Sequence, residues 1–102
     1  MLSQNKQTKS SESYNHTMTF ESKKTESVRK LLIDELGNDL IEAKNEYIWK
    51  QIDLSQNKDD NIFIKLNLGK ITFEYKNKKG VLKKNILRKL NDIEKKINKL
   101  LE

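Results

Sequence analysis

The 102-residue chain has no cysteine, a single histidine, a single tryptophan and three glycines. Without cysteine there is no disulfide framework, no thiolate nucleophile and no thiolate metal site. With His16 alone, no site can use two imidazoles from one chain. Hydrophobic residues make up 34% and charged residues 35%, so the core must be thin and much of the surface solvated. No apolar run approaches the ~20 residues that cross a bilayer, and the N-terminus lacks the charged, apolar and small-residue succession of a signal peptide. These absences lead to the expectation of a soluble, cytoplasmic protein that does not engage a membrane.

The carboxylates form no recognisable reaction centre. Asp34, Glu35 and Asp39 cluster near one predicted helix end, and Asp59 and Asp60 lie in a loop. Neither group has the ligand order or the turn glycine of a calcium loop. Neither accompanies a base, a nucleophile or a glycine motif for an oxyanion. The expectation is a non-catalytic protein with no cofactor and no metal. His16, on the inward side of a predicted strand, is assigned no role.

What the chain does have is an internal echo. Met18-Thr19-Phe20-Glu21-Ser22-Lys23 returns 53 positions later as Ile71-Thr72-Phe73-Glu74-Tyr75-Lys76, and identities continue at Val28/Val81, Lys30/Lys83, Ile33/Ile86, Asn38/Asn91, Asp39/Asp92 and Asn45/Asn98. Leu2 to Lys6 also returns as Leu54 to Lys58. A repeat of this period points to one structural unit used twice, over residues 14–52 and 61–102.

Residues 1–13 offer almost nothing to bury and read as a disordered tail ahead of a single domain, 14–102. From Tyr14 the alternation of Tyr14, His16, Met18 and Phe20 with polar residues predicts a strand. Val28, Leu31, Leu32 and Leu36 then recur at helical spacing before Gly37, which predicts a helix over about Lys24 to Leu36. Leu40, Ile41, Tyr47, Ile48 and Ile52 fall on one helical face, and Asp39 with Glu42 resembles a capping box, so a second helix is expected from about Leu40 to Ile52. That helix would leave Trp49 exposed, as an anchor for a protein partner.

A hairpin follows. With Leu66 opposite Ile71, the side chains of Ile62, Ile64, Leu66, Ile71, Phe73 and Tyr75 share one face. Phe73 and Tyr75 are thereby assigned to the core, leaving Phe63 as a lone outward aromatic, too little for a stacking platform. After a turn at Asn77 to Gly80, a final helix is predicted from about Val81 to Leu101. Its apolar stripe of Leu82, Ile86, Leu90, Ile93, Ile97 and Leu100 either covers the sheet, the preferred reading, or pairs with a second copy in a homodimer. The fold class expected is small α+β: two related strand–helix units, about three strands and about three helices.

The net charge of +6 is concentrated late in the chain. Lys76, Lys78, Lys79, Lys83, Lys84, Arg88, Lys95 and Lys99 are predicted to form a phosphate-tracking surface, with Lys84, Arg88, Lys95 and Lys99 diametrically opposite the apolar stripe. Arg29 and Arg88 are the only arginines, so the contacts expected are to nucleic-acid backbone with low sequence specificity. The element order resembles that of a winged-helix domain, but the predicted second helix carries Glu42, Lys44, Asn45, Glu46, Trp49 and Lys50, a poor DNA-reading face. The alternative function is a small inhibitor or adaptor of a protein partner, of the antitoxin, immunity or phage anti-defence kind.

Overall fold

The computed structural model describes residues 13–50 and 59–102. The predicted tail, apart from Ser13, lies outside these residues, as do Ile52 and both copies of the Leu-Ser-Gln-Asn-Lys match. The chain folds as β1 (Ser13–Thr19), a 3-10 turn (Ser22–Lys24), α1 (Thr25–Leu36), β2 (Ile41–Ala43), β3 (Glu46–Lys50), β4 (Asp60–Asn67), β5 (Lys70–Asn77) and α2 (Lys84–Leu101). The five strands make one antiparallel sheet in the order β1-β5-β4-β3-β2. Where about three strands and three helices were expected, the described residues form five strands and two α-helices. No helix among the described residues is long and apolar enough to cross a membrane.

The β4–β5 hairpin has the predicted register, with Leu66 paired to Ile71, Ile64 to Phe73 and Ile62 to Tyr75. All six of these side chains are buried. Because paired residues share a face, the register carries this apolar face outward: Tyr14, His16 and Met18 on β1 and Tyr47 and Trp49 on β3 join it. Both helices pack against it, α1 through Val28 and Leu32 and α2 through Ile86, Leu90, Ile93 and Ile97. Of the predicted stripe, Ile86, Leu90, Ile93 and Ile97 are buried in the core of one chain, whereas Leu82 precedes α2 and Leu100 is 37% exposed.

The predicted helix over 40–52 is corrected. Residues 41–50 are a tight hairpin, β2–β3, whose two-residue connection is Lys44 and Asn45. Asn45 takes a φ of 62°, a left-handed conformation that asparagine tolerates better than most side chains and that a continuous helix forbids. Tyr47-Ile48-Trp49 then follows its β propensity because β4 presents an edge to pair with. The winged-helix order fails with this helix.

Gly69 closes the β4–β5 turn at φ 72° and anchors the start of α1. Its carbonyl accepts from Phe20 N at 2.9 Å, and its N–H donates to Thr25 Oγ1 at 2.9 Å. A Cβ there would lie 2.8 Å from the Phe20 carbonyl oxygen, so the approach itself requires glycine.

The matched residues fall in like and unlike places. Met18 and Ile71 are direct partners across the β1–β5 ladder, and Ile33 in α1 and Ile86 in α2 both pack on the core. Val28 is buried in α1 while Val81 is exposed ahead of α2, and Asn45 is a turn residue while Asn98 lies within α2.

Candidate nucleic-acid interface

Three polar clusters fix α2 and its entry to the sheet and to α1, and between them they sort the basic residues into two kinds. The first cluster surrounds Asp60, which opens β4 and is only 1% exposed. Its carboxylate accepts from Tyr75 Oη at 2.9 Å, Asn77 Nδ2 at 2.6 Å and Lys83 Nζ at 2.7 Å. The Lys83 N–H in turn donates to Tyr75 Oη at 3.0 Å. Burial pushes the Asp60 carboxyl up, but the bonds from Lys83, Asn77 and Tyr75 together outweigh it and hold it below its ordinary value.

The second cluster joins the two helices. Glu35 on α1 receives Lys89 Nζ on one oxygen and Lys96 Nζ on the other, both at 2.9 Å, and these bonds lower its pKa. Lys96 also lies 3.3 Å from Asp92. The third ties α2 to the edge strand: Tyr14 Oη donates to Glu94, and His16 Nε2 lies 3.7 Å from the same carboxylate. Desolvation and the Glu94 bond push the Tyr14 phenol up. His16 also stands beside Phe73, with ring centroids 6.4 Å apart.

What remains on α2 is a line of basic side chains without acidic partners. Lys84, Arg88, Lys95 and Lys99 are exposed, and among the described residues none of them joins an ion pair. At 100° per residue they fall within a 60° sector centred opposite the buried Ile86, Leu90, Ile93 and Ile97, over a length of roughly 22 Å. A shallow depression on this side is lined by Lys84, Arg88, Asn91, Asp92 and Lys95.

The predicted eight-residue surface is therefore not one surface. Lys83 is the counter-ion of buried Asp60. Lys79, in the turn, lies 3.5 Å from Asp59. Lys78 is exposed in the same turn. Lys76 follows inward-facing Tyr75 on β5 and so belongs to the side of the sheet away from the helices. Only the α2 line stays contiguous. Sequence reading missed the neutralising roles of Asp60 and Glu35, whose partners are distant in the chain.

Trp49 is also corrected. It is fully buried, and its Nε1 donates to the Gly37 carbonyl at 3.0 Å, so it offers no surface to a protein partner. Among the described residues, no three His, Asp or Glu side chains are grouped to hold a metal ion. No protein-family model, curated protein or solved structure matches the chain. Its function has to be read from these residues.

Proposed function

We propose that the protein binds the phosphate backbone of double-stranded nucleic acid through the outer line of α2, using Lys84, Arg88, Lys95 and Lys99 with little sequence preference. The observation that carries this reading is selective neutralisation. Lysines on the flanks of α2 and at its entry have carboxylate partners, whereas these four share one line and have none. Four like charges along one helix repel one another, and a polyanion relieves that repulsion. Three of the four are lysines, which act as point charges toward phosphate rather than as readers of base edges.

Fluorescence polarisation against mixed-sequence duplex DNA and RNA at several salt concentrations tests the reading. Four phosphate contacts give a log–log salt slope of about −3.6 on B-DNA, or roughly a hundredfold loss of affinity between 50 and 200 mM salt. Changing Lys84, Arg88, Lys95 and Lys99 together to glutamine should abolish the binding. Absence of binding at low salt, or binding retained in the quadruple variant, overturns the proposal.

A further inference from the structure

The side of the sheet turned away from the helices carries a second group of lysines, built on a different rule from the helix side. By register, four of its rows are Ser13–Lys76–Asn61, Asn15–Glu74–Phe63–Lys50, Thr17–Thr72–Lys65–Ile48–Ile41 and Thr19–Lys70–Asn67–Glu46–Ala43. β4 is the middle strand of the sheet, which puts Phe63 near the centre of this face.

Directly opposed charges on a solvated sheet face commonly take opposite sign, because each such pair stabilises the ladder. Here no lysine stands directly across from a carboxylate. Lys65 is opposite Thr72 and Ile48, Lys70 opposite Thr19 and Asn67, Lys76 opposite Ser13 and Asn61, and Lys50 opposite Phe63. Among the described residues none of the four joins an ion pair, while Lys83, Lys89 and Lys96 on the helix side all do. Of the two glutamates on these rows, Glu46 accepts a bond from Asn67 Nδ2 at 3.1 Å, and Glu74 stands across from Phe63 on the side opposite Lys50. The four rows together carry four lysines against these two carboxylates, a net positive face with one aromatic ring in it.

Phe63 is half-buried, and its ring face is met by a cation. Lys50 Nζ lies 5.9 Å from the ring centroid. A π-face that holds an ammonium from solvent can also hold a planar base, and the displaced lysine then becomes free for a phosphate. A duplex keeps its bases stacked inside, so this chemistry selects an unpaired strand.

We propose that the helix-free face of the sheet binds single-stranded nucleic acid, with Phe63 stacking on a base and Lys50, Lys65, Lys70 and Lys76 meeting the phosphates. The site is separate from the α2 line, on the opposite side of the molecule, and does not depend on it. One stacking ring predicts weak sequence preference, and the lysines predict strong salt dependence.

The test is polarisation titration of fluorescein-labelled oligo-dT, about a dozen nucleotides long, against the full chain at low salt. Three proteins accompany the wild type: Phe63→Leu, the pair Lys50→Gln with Lys65→Gln, and the α2 quadruple glutamine variant. Tryptophan emission from Trp49, buried on the other side of the sheet, checks that each is folded. The expected result is roughly tenfold weaker oligo-dT binding in Phe63→Leu, a flatter salt slope in the lysine pair, and little change in the α2 variant. Oligo-dT binding that ignores both sheet variants, disappears with the α2 variant, or is absent from the wild type overturns the proposal. Duplex binding measured on the same proteins reports on α2 independently.

Discussion

Lys83 Nζ reaches Asp60 Oδ2 at 2.7 Å, joining the residue before α2 to the first residue of β4. The pair is asymmetric: the carboxylate is buried, and the lysine side chain is 40% exposed. Removing the acid frees a solvated cation and deletes the acceptor shared with Tyr75 and Asn77, whereas removing the lysine leaves a buried carboxylate short of its counter-charge. Both changes loosen the seat of α2 without touching its outer line.

Asp60→Ala should therefore lower stability by about 1–3 kcal/mol in urea unfolding, through the acceptor lost to Tyr75 and Asn77. Lys83→Gln should also destabilise, whereas Lys84→Gln should leave the midpoint almost unmoved. The order reverses for duplex binding, where Lys84→Gln weakens affinity and flattens the salt slope by about one unit, and Lys83→Gln leaves the slope unchanged in folded protein. Equal effects of the two lysines on both measurements would refute this division between structural and surface cations.

The buried stripe of α2 makes a second contrast. Leu90 and Ile97 are fully buried against the sheet. Leu90→Ala should cost about 2–5 kcal/mol, and Leu90→Ser with Ile97→Ser should unfold the chain. Circular dichroism and sedimentation decide the point, since a well-folded monomer from the double variant would instead mark the stripe as an interface between copies.

Acid stability follows from Glu35 and Asp60. Both carboxyls are held below their ordinary values in the folded protein, so the unfolded chain binds their protons more readily. Their contribution is complete above the unfolded-state pKa and is lost as pH falls through the depressed folded-state values. Urea stability should be nearly level from about pH 7 to 5 and decline below about pH 4. Glu35→Gln with Asp60→Asn should shrink that decline, and an identical pH profile in the variant would assign the acid sensitivity to other groups.

The elements differ in how legible they were. Alternation over Ile62 to Leu66 and Ile71 to Tyr75 admits one register that buries a single face, and the hairpin adopts it. The helix over Thr25–Leu36 was equally plain, because its apolar spacing ends at a glycine with positive φ. Residues 41–50 were not. Their apolar positions fit a helical face as well as a strand, and Asn45 was the local sign of a turn that such a fit ignores. Reading Trp49 as an exposed anchor was a consequence of that helix, since a strand puts Trp49 on the same side as Tyr47, toward the core.

By itself, then, the sequence determined the hairpin register, the first and last helices, and the line of Lys84, Arg88, Lys95 and Lys99 opposite a buried stripe. Each follows from a period of two or 3.6 carried by neighbouring residues. Only the tertiary structure decided that residues 41–50 are strands, because that choice depends on the edge β4 offers. It also decided which lysines are neutralised. Lys83 meets Asp60 from 23 residues away and Lys89 meets Glu35 from 54, and no local pattern encodes a Coulombic partner at those separations.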